Sequence, residues 1–275
     1  MAISFFDEFN ALALDPGKWY MMTKQWGDGN NGLVMENITM SILHLQLGVH
    51  GDQYSGNTPG CRKSGMRYPR TEPSGQPVSG KRCGAGVATK FYFASGRYEW
   101  RAKVLQQPGT WFAAGTYQYV ETDTESGTVA TTDDVNIQVM YEKGAFSALL
   151  SCYAGTGVTT QKVSLPSVTA KPDEFHTYRF DWHTQDPAGG ANARRVDFYV
   201  DDALLYSMTT TIPTKAGRFM MATLCPVEAG PAPFNEDRVL VDWARVTPFF
   251  EAGDEHQVES YPVDGLVIAY RLFGR

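Results

Sequence analysis

Alternation limits this chain more than any other feature. Apolar and polar residues swap places at every second position in stretch after stretch, and a 3.6-residue period is almost absent. From Arg97 to Val104, Tyr98, Trp100, Ala102 and Val104 fall on one face, and Arg97, Glu99, Arg101 and Lys103 on the other. Successive side chains of a strand point to opposite sides, so this segment reads as a half-buried strand. Residues 177–182 repeat the pattern with Tyr178, Phe180 and Trp182. Val196, Phe198 and Val200 follow, ending in Asp201-Asp202 at an expected hairpin turn. The apolar phase slips between Ile38/Met40 and Leu43/Leu45/Leu47, which predicts two strands joined by a tight turn. Phe219 to Leu224 and Val239 to Val246 are apolar on both parities, as expected of strands covered on both faces. Many short strands separated by turn residues, with 27 Gly and 15 Pro in the chain, predict an all-β sandwich or barrel.

Composition removes several classes of function. A net charge of −6 without any lysine/arginine block argues against a nucleic-acid partner. No apolar run reaches the roughly 18 residues that a membrane helix needs, so no membrane insertion is expected. The opening residues lack the basic and apolar regions of a secretory signal. The four cysteines (Cys61, Cys83, Cys152 and Cys225) contain no C-x-x-C pair, which makes a structural zinc improbable. Cys61 and Cys83 bracket a stretch rich in Gly, Pro and Ser and are the disulfide candidate; free thiols are the equal alternative, and a Cys152–Cys225 pair stays open. Residues 48–86 read as a surface insertion within a domain spanning 1–250, and residues 251–275 as a tail, acidic first and then apolar.

Most short motifs carry little. Gly27-Asp28-Gly29-Asn30-Asn31-Gly32 fits G-x-G-x-x-G but has no legible strand before it or helix after it, so it reads as a glycine-rich loop. No serine-hydrolase elbow or paired-histidine metal motif is present. Glu121, Asp123 and Glu125 read as a solvated turn. The informative segment is Asp133 to Tyr141. Alternation puts Val135, Ile137 and Val139 in the core and Asp134, Asn136 and Gln138 on the opposite face. Burying three such groups unpaired is costly, so they are expected to face water or a ligand. A polar row beside aromatic rings suits sugar hydroxyls.

At this point the chain resembles glycoside hydrolase family 16, the laminarinase-like and lichenase-like enzymes. The resemblance runs through Phe5-Phe6-Asp7-Glu8-Phe9 with Lys18-Trp19, then Gly96 to Lys103 with Gly109-Thr110-Trp111-Phe112-Ala113. It continues through Phe175 to Trp182, Val196 to Asp201 and Val241 to Val246, all in the family's order. It implies a concanavalin A-like β-jelly roll of two antiparallel sheets. The family signature E-x-D-x-E supplies a nucleophile, its supporting Asp and an acid/base. The aligned positions here are Asp134, Asn136 and Gln138. Retaining hydrolysis needs two carboxyl groups roughly 5–5.5 Å apart, and neither amide can supply the proton. Glu142 shares the parity but lies ~13 Å beyond Gln138 along a strand. The family's "LWP" reads Leu224-Cys225-Pro226 here. The resemblance further implies Trp26, Trp111, Tyr117, Tyr119 and Tyr141 as sugar-stacking candidates. Glu8 and Asp242 match the side-chain ligands of a structural calcium, and no other cofactor is required. The expectation is therefore a non-catalytic jelly roll serving as a structural or surface-assembly module, such as a virion decoration, or as a glycan-binding module. The alternative is an unusual endo-glycosidase using Asp134. Expected partners are a β-linked glycan or neighbouring subunits. The expected location is an extracellular surface or virion, with the cytoplasm as the alternative.

Overall fold

The computed structural model describes residues 4–23, 32–56, 70–71, 77–78, 82–124, 127–185 and 194–255. Among them the chain forms two large sheets laid face to face. The ten-stranded sheet runs in the order Ala203–Met208, Arg195–Val200, His176–His183, Gly96–Lys103, Glu236–Pro248, Leu45–His50, Cys83–Gly84 and Gly32–Leu33. Phe5–Asp7 pairs with Glu236–Pro248, and Ile38–Met40 with Leu45–His50. The eight-stranded sheet runs Gly157–Ser164, Ala145–Gly155, Gly127–Glu142, Trp111–Tyr117, Gly217–Leu224, Gly86–Phe93 and Trp19–Met21, with Tyr119–Thr124 paired to the start of Gly127–Glu142. Pairing in both is antiparallel, save Gly32–Leu33 on Cys83–Gly84. The short α-helix Pro166–Ala170 opens with Pro166, whose missing N–H costs nothing in a first turn.

The alternation is what builds this sandwich. Tyr98, Trp100 and Ala102 stand beside Tyr178, Phe180 and Trp182 on the inner face of the larger sheet, all at 0% exposure. The inner face of the smaller sheet answers with Phe112, Ala114, Val135, Ile137, Leu150 and Phe219. Trp100 and Phe219 meet across the layers with ring centroids 5.8 Å apart, and Tyr98 stacks on Phe180 at 4.6 Å. Each fully buried ring of this kind contributes about 1.5–3 kcal/mol. The expected hairpin at Asp201-Asp202 is present, with φ of 50° and 62° giving the left-handed pair a two-residue turn requires.

The jelly-roll sandwich expected from the sequence is thus the architecture found. Two details differ. Leu43 is not a strand residue: it lies 62% exposed in the Ser41–His44 turn, where the Ser41 hydroxyl accepts the His44 N–H. Glu121 and Asp123 lie in the strand Tyr119–Thr124 rather than in a turn. At the ends of the expected 48–86 insertion, Gly48 to His50, Cys83, Gly84 and Gly86 are sheet residues. Gly84 is pressed so close to the next layer that a Cβ would sit 1.9 Å from the Thr223 carbonyl oxygen.

Candidate active-site face

The outer face of the eight-stranded sheet carries the aligned catalytic positions. Asp134, Asn136 and Gln138 follow one another at alternate positions along Gly127–Glu142. On one side Gln138 faces Ala113 and Asn136 faces Gly115; on the other, Gln138, Asn136 and Asp134 face Leu149, Ser151 and Tyr153. Their backs, Val135, Ile137 and Val139, are in the core, as alternation demands. Gly115 is what lets the strands close here, since a Cβ at that position would sit 2.1 Å from the Val135 carbonyl oxygen.

The row does not lie open to water as expected. Asp134, Asn136 and Gln138 are 0%, 3% and 1% exposed. Each spends one polar atom on being held in place. The Asp134 Oδ1 accepts the Gln118 backbone N–H at 3.0 Å, and the Gln138 Nε2 donates to the Asn136 Oδ1 at 3.0 Å. The other atoms, Asp134 Oδ2, Asn136 Nδ2 and Gln138 Oε1, have no hydrogen-bond partner. Burial pushes the Asp134 carboxyl well above the usual carboxylate range; the Gln118 N–H pulls the other way, and the charge of nearby Asp133 adds to the rise. Burial also raises Asp133, against the pull of Lys215, whose Nζ lies 3.4 Å from its Oδ2. Burial thus favours the protonated form of Asp134, and its two row neighbours are amides. Glu142, the remaining carboxylate of the same parity, is exposed and paired with Lys162 at 2.7 Å.

Around the row lies an apolar patch of Met22, Leu33, Ala88, Ala113, Met220, Ala222 and Leu224. Tyr117 belongs to it, and half-buried Trp111 and Tyr119 pack against it. Three of the expected sugar-facing aromatics are thus on the row's side of the sheet. Tyr141 is not. It shares the parity of Val135 and Val139, packs against the inter-sheet core and meets the Phe146 ring at 5.0 Å. Trp26 lies outside the described residues. Reading the sequence also missed Gln118, which sits in the irregular step between Trp111–Tyr117 and Tyr119–Thr124, where simple alternation fails.

The calcium expectation finds poor support in its donors. Asp242 is paired with the Arg101 guanidinium, which also lies over the Phe175 ring. Glu8 is exposed and accepts from the Asn10 amide at 3.1 Å. Among the described residues no group of three or more His, Cys, Asp or Glu side chains could hold a metal ion. Cys83 is disulfide-bonded, whereas Cys152 and Cys225 are free and buried. Burial raises both thiols, Cys225 to about 12. Cys61 lies outside the described residues, as does the tail from residue 256.

The model of the glycosyl hydrolases family 16 matches residues 78–245. The chain belongs to that family. The fold of its members is repeated in solved structures. A Bacillus licheniformis beta-glucanase superposes with a TM-score of 0.63 at 20% identity, covering 89% of this chain and 97% of its own. A lichenase derived from a mouse hindgut metagenome gives 0.62 at 19%, covering 89% and 99%. A LamA variant from Zobellia galactanivorans, in complex with laminaritriose and laminaritetraose, gives 0.59 at 18%, covering 88% and 97%. No curated protein matches the chain. Among the described residues of this family-16 domain, no helix is long and apolar enough to cross a membrane.

Proposed function

We propose that this family-16 domain binds a β-linked glycan on the outer face of its eight-stranded sheet without hydrolysing it. The observation that carries this reading is the row Asp134, Asn136, Gln138. It offers one carboxyl group where retaining hydrolysis needs a nucleophile and a separate acid/base. Burial favours the protonated form of that carboxyl, which is a poor nucleophile. An amide at Gln138 has no acidic proton to give a leaving group. What survives is suited to binding: Trp111, Tyr117 and Tyr119 beside polar atoms that match hydroxyl groups.

Titration calorimetry with laminaritetraose and a mixed β-1,3-1,4-glucan tetrasaccharide tests this. Saturable binding that disappears in Trp111→Ala supports it; no heat with either sugar, or with a broader glycan array, counts against it. A surface-assembly role finds its own support elsewhere on the molecule. Phe6, Phe91 and Phe250 are 42%, 51% and 58% exposed and line one apolar groove, which fits contact with a second copy of this chain. Light scattering of the full chain separates the two: a monomer at all concentrations removes self-assembly.

A further inference from the structure

Arg218 stands on the outer face of the eight-stranded sheet, at the edge of the apolar patch. The next residue, Phe219, points into the inter-sheet core, and Met220, which shares the parity of Arg218, belongs to the patch. Tyr92, Arg218 and Tyr117 are consecutive cross-strand partners, so their side chains leave the same face in one line. Tyr20 takes that face too, since its neighbour Trp19 points into the core. Asn136, Gly115 and Met220 are partners in the same way. Two strand spacings, about 10 Å, therefore separate Met220 from the Asn136 row, with Arg218 two residues along from Met220.

Two cations meet here on aromatic rings. The Arg218 guanidinium lies 4.2 Å from the centre of the Tyr92 ring and 4.9 Å from that of Tyr20. The Lys90 ammonium lies over the same Tyr20 ring at 5.0 Å. Rings attract cations without neutralising them. On the other sheet Arg97, Arg101, Arg179 and Arg245 meet Asp181, Asp242, Asp202 and Glu99. Neither Lys90 nor Arg218 has a carboxylate partner among the described residues, although acidic side chains outnumber basic ones in this chain. Arg218 is 5% exposed; its Nη1 donates to the Thr89 carbonyl at 2.7 Å, and its Nε has no partner. A buried guanidinium without a counter-charge is costly, and a second cation nearby adds to the cost. Lys90, Tyr20 and Tyr92 are exposed beside it. An anion can therefore reach the Lys90 ammonium at the surface, while Arg218 adds its charge from behind.

We infer that Lys90, backed by Arg218 and framed by Tyr20 and Tyr92, is a subsite for an anionic group on the glycan, a sulfate ester or a uronic carboxylate. The inference rests on the glycan-binding reading above. It deepens that reading by naming the ligand class: a β-linked glycan that carries acidic groups.

Calorimetry on the full chain would compare laminaritetraose, a sulfated laminaritetraose and a β-linked tetrasaccharide containing glucuronate. A hydrogen bond between charged groups should make at least one acidic sugar bind roughly tenfold tighter than laminaritetraose at low ionic strength. The gap should narrow as sodium chloride is added, and the sugar that shows it identifies sulfate or carboxylate as the group held. Lys90→Gln should close most of the gap while leaving laminaritetraose affinity and Tm unchanged, which a merely structural lysine would not do. Arg218→Gln should narrow the gap as well; if that variant does not fold, Lys90→Gln decides alone. Equal binding of neutral and acidic sugars by the unchanged chain would overturn the subsite and leave the glycan reading standing. A gap that survives Lys90→Gln would overturn it in the same way. Failure of the unchanged chain to bind any of the three sugars would reject both readings.

Discussion

Replacing Asp134 by asparagine should stabilise the protein, and by an amount that grows with pH. The carboxyl is fully buried, with Oδ1 held by the Gln118 N–H and Oδ2 unpartnered. Its ordinary value is 3.8, and burial raises it well above that in the folded chain. Below pH 3.8 both folded and unfolded chains hold the proton, and the group is neutral in the balance. Above it the unfolded chain releases the proton while the folded chain keeps it. The native state then binds more protons than the unfolded one, so stability falls as pH rises, by about 1.4 kcal/mol per pH unit, until the folded carboxyl ionises. Asparagine keeps an acceptor for the Gln118 N–H and has no proton to lose. Asp133, raised in the same direction, is present in both proteins and cancels to first order. The advantage of Asp134→Asn should therefore be near zero at pH 4 and widen as pH rises, by up to about 1.4 kcal/mol per pH unit. Urea unfolding of both proteins at half-unit steps between pH 4 and 7 measures it directly. A constant difference across that range would mean that Asp134 ionises like an exposed carboxylate, and the case against its acting as a nucleophile would lose its physical basis.

Other consequences are simpler. Tyr141→Phe should leave glycan affinity unchanged, because Tyr141 packs into the core; a loss matching that of Trp111→Ala would put it back on the binding face. Gly115→Ala should cost about 3 kcal/mol in chemical denaturation, since the new Cβ meets backbone, not a movable side chain; a change under about 1 kcal/mol would contradict that packing. Denatured, unreduced protein should show two reactive thiols, Cys152 and Cys225. Cys83→Ser should lower stability by about 3 kcal/mol on the loop-entropy estimate, and four reactive thiols would deny the disulfide.

Much of this fold was legible because a period of two is a strong signal wherever one face is buried. Tyr98/Trp100/Ala102 and Tyr178/Phe180/Trp182 identified their strands and their core side without further help. The same rule placed Asp134, Asn136 and Gln138 together, and it also assigned Tyr141 to the inside with Val135, Ile137 and Val139. Its aromatic character drew it onto the binding face against its own parity. Burial of the row was beyond the sequence, because alternation says which way a side chain points and nothing about what covers it. Gln118 was hidden for a different reason. It sits where the strand leaves its regular pattern, and its backbone N–H holds the carboxyl of Asp134, sixteen residues on. The calcium expectation came from the family resemblance at Glu8 and Asp242, and resemblance does not reveal that Asp242 pairs with Arg101.

The central claim is that this face holds a glycan and does not cut it. The most direct test incubates the full chain with laminaritetraose and with mixed β-1,3-1,4-glucan at neutral pH, following bound sugar and new reducing ends in the same samples. The account predicts saturable binding with no reducing ends above the buffer control. Reducing ends that accumulate with time and vanish in Asp134→Ala would contradict it, and would make the lone buried carboxyl a working catalyst.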